Sequence, residues 1–258
     1  MTLEIRSLLA GRAHEKFELH EKYVHGSLFV VDEVQTGVGR TGAFLASSAD
    51  GVDPDLVLLA KALSGGFVPI GAVVGKKRVF DKTFDRMDRA VVHGSTFGKN
   101  NLAMAAGIAT LAALDEELLI ENARRRGENL LRRLGALANK YELLKEVRGR
   151  GLMIALELGP PSSVRLRAAW TVLEAATQGL FCQAVIIPLF ARHHVLAQVA
   201  GHHLSVIKLL PPLCISQEDE DWIVRAFDDV LHECHRLPGA AWDLASSLVA
   251  HAIKPKAG

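Results

Sequence analysis

The chain has 258 residues, a formal net charge of +1, 49% hydrophobic and 23% charged residues. That length buries a sizeable core, as one large or two small domains. The near-neutral balance supplies no bulk field toward nucleic acid or acidic lipid, so neither is expected as a partner. No run of 18 uncharged apolar residues argues for a membrane span, and MTLEIRSLLAGRAHEKFELHEK lacks the apolar core of a signal peptide. Three scattered cysteines, Cys182, Cys214 and Cys234, form no CxxC pair. They suit a reducing cytoplasm, with the thiols as small core residues.

In chain order, residues 3–24 read as helix from a partial apolar face at Leu3, Ile5, Leu8 and Leu9. Leu28–Val31 and Leu56–Leu59 read as short strands buried on both faces, and Ala72–Val74 as a third. Arg78–Phe84 is a short helix. HGSTFGK (residues 93–99) is a small-residue loop, followed by an Ala-rich helix over Asn101–Leu114. A charged amphipathic helix is expected over Glu116–Lys140, and the composition shift places a domain boundary near Glu121–Arg126. Beyond it, Val147–Leu158 reads as one strand with a glycine-bent entry and Arg165–Gln178 as helix. Leu180–Ile187 and Ser205–Leu209 read as strands, and Gln217–His235 as an amphipathic helix. The expected organisation is a helical segment 1–26, a unit over 27–122, an α+β unit over 123–238 and a helical tail over 239–258.

Chemistry concentrates in LFVVDEVQTGVGRTGAFLASSADGVDPDLVLLAKALSGGFVPIGA, residues 28–72. Asp32 follows one apolar strand and Lys61 another, at the carboxyl edge where open α/β sheets bind ligands. A lysine held among Leu58, Leu59, Ala60, Ala62 and Leu63 is a competent Schiff-base nucleophile. A carboxylate behind two valines calls for a cation, and a pyridinium nitrogen is one such partner. Taken singly, Asp32 also reads as a helix cap or ion pair and Lys61 as a solvated loop lysine. GVGRTG lacks the order of a dinucleotide fingerprint. His193-His194 and His202-His203 are adjacent pairs, a poor chelating geometry on a strand, so no metal is expected.

The blocks DEVQTGVGRTG, PDLVLLAKALSGGFVPIGA and HGSTFGKNNLAMAAG resemble, in order and separation, the class III aminotransferases of the acetylornithine/ornithine type. The resemblance covers about residues 27–235. It implies an α/β, type I aminotransferase fold with a large and a small domain. It also implies a homodimer with its sites at the subunit interface, and pyridoxal 5'-phosphate as cofactor. Lys61 matches the lysine that bonds to the cofactor and shuttles a proton, and Asp32 the partner of the pyridine nitrogen. Val34 matches the residue packed on the ring, Gln35 a contact near the phenolic oxygen, and Ser95 and Thr96 the hydroxyls for the phosphate. The implied reaction moves an amino group between an amine or amino acid and a keto acid or aldehyde. Related cofactor chemistry, such as decarboxylation, is a further alternative.

Two departures accompany the resemblance. Only 31 residues precede Asp32, and none reads as the family's Gly-Ser phosphate loop or its ring-stacking aromatic. AHEKFELHEKYV resembles the far N-terminus of one branch, which implies an internal segment removed between about Val24 and Ser27. Weak or no turnover is then expected of this chain alone. The alternative is an inactive remnant that serves only as a binding or dimerisation partner. Second, SVIKLLPPLCIS carries Lys208 where many members place an arginine for the substrate carboxylate, and lysine offers a point charge instead of a bidentate fork. A snorkelling strand lysine is the plainer reading of Lys208. Arg148 and Arg150, in VRGRGLM, read as packing residues.

Overall fold

The computed structural model describes residues 27–91, 94–176, 179–201 and 204–236. The expected helix over 3–24, the helical tail and the pair His202-His203 lie outside them. The chain divides into two compact units between Arg124 and Arg125.

The first unit carries a three-stranded mixed sheet of order β1-β2-β3. Strand β1 (Val30–Asp32) is followed by the short helix α1 (Ala46–Ala49), then β2 (Leu56–Ala60) and β3 (Gly71–Gly75). β1 and β2 run parallel, with Asp32 opposite Leu58; β3 is antiparallel to β2. These strands are not buried on both faces as their apolar runs imply. β2 alternates, with Val57 and Leu59 buried and its other residues half-buried, because only one face of this sheet is covered among the described residues.

Helix α2 (Lys77–Thr83) and the Ala-rich α3 (Asn101–Glu116) complete the unit. The N-cap of α3 is Asn100, whose side chain accepts from the Ala103 N–H at 2.9 Å. Ala103, Gly107 and Leu114 form its buried stripe. Gly107 has no side chain because α3 presses on the turn after β2: a Cβ there would stand 3.3 Å from Ile70 Cδ1 and 3.6 Å from the Leu63 carbonyl.

Helix α4 (Leu119–Leu137) begins later than expected, after Leu118 takes a positive φ of 51° and breaks the helix. From Arg125 on it belongs to the second unit. There β4 (Leu144–Arg150) and β5 (Met153–Leu158) form a hairpin where a single bent strand was expected. Gly151, at φ 53°, makes the turn, and α4 seats on it so closely that a Cβ on Gly127 would fall 2.1 Å from the Gly151 carbonyl oxygen. Helix α5 (Val164–Ala176) and helix α6 (Leu180–His193) follow. The second overturns the expected strand over Leu180–Ile187. A short apolar run is ambiguous between strand and buried helix, and here Glu174 of α5 decides it. Its carboxylate accepts from the Gly179 N–H at 2.8 Å and the Phe181 N–H at 3.1 Å, satisfying the donors of a helix start.

Strands β6 (Gln198–Val199) and β7 (Val206–Leu209) finish an antiparallel sheet of order β4-β5-β7-β6. Helix α7 (Gln217–Cys234) opens with a Ser216/Asp219 capping box. Its Glu220 is buried and accepts from Arg133 at 2.8 Å and Arg126 at 3.3 Å on α4. Burial pushes the thiols of Cys182 and Cys234 up to about 12. Among the described residues no single helix is long and apolar enough to cross a membrane.

Candidate active site

The parallel pairing of β1 and β2 fixes the first fact about the site. Asp32 is the last residue of β1 and Lys61 directly follows β2, so carboxylate and amine project from the same carboxyl edge on neighbouring strands. Asp32 is half-buried, and its Oδ1 accepts from the Val34 N–H at 2.9 Å. Among the described residues its Oδ2 makes no hydrogen bond.

Lys61 is exposed, not enclosed by the neighbouring apolar residues. Leu59 and Leu63 point into the unit and are buried, while Lys61 opens a 3-10 turn (Lys61–Ser64). Its φ is 49°. A left-handed conformation costs a non-glycine residue about 1–2 kcal/mol, and strain of this kind gathers at functional positions. The turn is held behind it by Ser64, whose hydroxyl donates to the Val68 carbonyl at 2.5 Å.

Val34 and Gln35, both half-buried, lie on the turn after β1. Sequence reasoning passed over the residue between them and Asp32. Glu33 is 1% exposed. Its Oε1 accepts from the Ser47 N–H at 2.7 Å, its Oε2 from the Thr36 hydroxyl, and its carbonyl from the Gly37 N–H at 2.9 Å. Strand alternation was the available signal: of two successive acids at a strand end, only one faces out. A second missed acid, Asp55, is equally buried. It accepts from the Phe29 N–H at 2.8 Å and pairs with Arg78, tying β1, β2 and α2 together.

Ser95 and Thr96 are exposed on the turn before α3, closed by the Gly98 N–H to the Ser95 carbonyl at 3.0 Å. Among the described residues neither hydrogen-bonds to Asp32 or Lys61. Lys208 belongs to the second unit. It is half-buried on β7, opposite Ala155 of β5 and Gln198 of β6, with no ion pair among the described residues. Arg148 is paired across the hairpin with Glu157 and along β4 with Glu146 at 2.9 Å. No cluster of three or more His, Cys, Asp or Glu that could hold a metal occurs among the described residues.

Comparison with known proteins bears on the family and the fold. The family model for aminotransferase class-III matches residues 22–231. An ornithine aminotransferase from Bordetella pertussis is 38% identical over 83% of this chain and 45% of its own length. An acetylornithine aminotransferase from Caldanaerobacter subterraneus is 37% identical over 80% of this chain and 45% of its own length. Among solved structures, a PLP-bound amine transaminase from an uncultivated Pseudomonas species superposes with a TM-score of 0.68 at 33% identity, covering 83% of this chain and 46% of that one. The chain thus spans about half the length of the relatives it matches.

Proposed function

The chain belongs to the class-III aminotransferase family, and from that premise we propose that it acts as a pyridoxal 5'-phosphate-dependent transaminase. The amino group would pass between an amine or amino acid donor and a keto acid or aldehyde acceptor. One observation carries the reading: Asp32 and Lys61 stand at one sheet edge on adjacent parallel strands, with Lys61 in a strained backbone conformation. The donor set fits the cofactor. Asp32 commits one oxygen to Val34 and keeps the other for a ring N–H, and Lys61 offers an exposed primary amine.

When bound, the cofactor supplies an electron sink for the pair released at the substrate α-carbon. The Asp32 carboxylate holds the ring nitrogen protonated by opposite charge. Lys61 Nζ is the attachment point and afterwards carries the proton to and from the α-carbon. Val34 would pack on the ring and Gln35 would lie near its phenolic oxygen. Ser95 and Thr96 would supply hydroxyls to the phosphate, Thr96 from the partner of a homodimer. Lys208 takes a substrate carboxylate as a point charge. Residues 27–122 then form part of the cofactor-binding domain and 123–238 the small domain, in a cytoplasmic protein.

A second reading, a chain that only binds or dimerises, is favoured by the exposed apolar side chains of the first unit, among them Phe67, Phe97 and Ile108. Adding pyridoxal phosphate to the purified protein separates the two. The transaminase reading expects a visible absorption band, its bleaching by borohydride, a mass adduct on Lys61 and amine transfer. Lys61→Ala should lose band and adduct completely. A wild-type protein with no band sinks the reading; a band without amine transfer supports the second.

A further inference from the structure

We infer that Glu33 is the positioning residue of this site, a buried clamp that holds the turn on which Asp32, Val34 and Gln35 depend. The inference rests on the role proposed for Asp32. Backbone pairing continues one residue beyond β1, through the Glu33 N–H to the Leu58 carbonyl at 3.0 Å. Asp32 and Glu33 therefore face opposite sides of the sheet. Asp32 looks toward the edge and Glu33 into the unit, where it is 1% exposed.

The buried carboxylate joins three segments. One oxygen holds α1 through the Ser47 N–H, the other holds the turn through the Thr36 hydroxyl. The turn is in turn closed by Gly37 N–H to the Glu33 carbonyl and by Val38 N–H to the Phe44 carbonyl at 2.7 Å. Gly37 admits no side chain, since a Cβ would stand 2.8 Å from that same Glu33 carbonyl. The Val34 N–H that orients Asp32 belongs to this clamped turn. Removing the carboxylate leaves buried donors unpaired, a larger loss than the bonds themselves, and frees the peptide that aims Asp32.

Amide exchange and the visible band of the bound cofactor test this on the full chain. In Glu33→Ala, amide hydrogen exchange over residues 34–41 and at Ser47 should quicken roughly ten- to a hundredfold with the second unit unchanged. Affinity for pyridoxal phosphate, read from the visible band, should fall about tenfold, the worth of one such bond. The pH dependence of that band should move in the same direction as in Asp32→Asn, which a merely structural residue would not cause. Glu33→Gln should restore both, because its amide oxygen still accepts from Ser47 and its amide N–H can donate to Thr36. If Glu33→Ala does not fold, Thr36→Val removes one of the two bonds and should show the same changes more weakly. Unchanged exchange overturns the clamp; quickened exchange with an unmoved band overturns the positioning role. A wild-type protein with no band removes the proposed transaminase, and the exchange result alone then upholds or overturns the clamp.

Discussion

Strand β5 of the second unit is sealed on both faces, with Met153, Ile154, Ala155 and Leu156 at most 3% exposed, whereas β3 of the first unit leaves Val73 and Val74 each 54% exposed. The contrast extends to how each unit is held. The largest fully buried side chains, from Phe181 and Phe227 to Leu209, all lie in the second unit. Except for Glu220, the buried polar and charged residues, Glu33, Thr36, Thr41, Ser47, Asp55 and Ser64, all lie in the first. The second unit is packed mainly by apolar volume, with Glu220 and Glu174 as polar ties, and the first is pinned by the carboxylates of Glu33 and Asp55 and the hydroxyls of Thr36, Thr41 and Ser64. Such pins are directional, so they can fix where a turn points, as the proposed site at Asp32 and Lys61 would require.

Four substitutions sharpen or break this comparison. The largest effect belongs to apolar packing. Phe181 is fully buried, with its ring 4.8 Å from that of Trp170. Phe181→Ala should destabilise the second unit by about 3–5 kcal/mol in denaturant unfolding. Phe67→Ala in the first unit, where the ring is 89% exposed, should stay within about 0.5 kcal/mol. Equal losses at the two positions would erase the distinction. Next is a polar pin: Asp55→Ala removes the acceptor of the Phe29 N–H and the partner of Arg78 and should cost the first unit about 1–3 kcal/mol, read as faster amide exchange at Phe29 and along β2.

The smallest effect is the same chemistry at a surface. Glu142 accepts from the Ser162 and Ser163 N–H groups and the Ser163 hydroxyl ahead of α5. The Ser163 hydroxyl first, then the backbone donors, hold its carboxyl below the ordinary 4.5. A depressed carboxylate contributes fully above its unfolded value and loses that contribution as pH falls through the lower folded value. The stability gap between wild type and Glu142→Ala should be present at pH 7, smaller than that of Asp55→Ala, and should close in strong acid. A gap that widened in acid would contradict this.

Much of the fold is legible in local patterns. The Ala-rich α3, the amphipathic α4 and α7, and the strands β2, β3 and β7 follow from period, composition and capping residues a few positions apart. The Asp32 and Lys61 blocks are legible in the same way, because each is a short strand followed by a turn. The mistaken strand over Leu180–Ile187 has a different origin: its run of apolar residues suits either state, and the deciding Glu174 sits on another helix. The hairpin in VRGRGLM turns on how closely α4 approaches at Gly127, which no local pattern encodes.

The motif blocks of the chain by themselves carried the resemblance to the family and singled out Asp32 and Lys61 as candidates, and composition and period gave most helices. Only the tertiary structure decided that β1 and β2 lie side by side and parallel, that Lys61 is exposed in a left-handed turn, and that Glu33 and Asp55 are interior. The reason is physical. Periodicity reports which face of an element is apolar, but a buried carboxylate is tolerable only where donors from other segments converge on it. Here those donors, Ser47 for Glu33 and Phe29 for Asp55, come from 14 and 26 residues away along the chain.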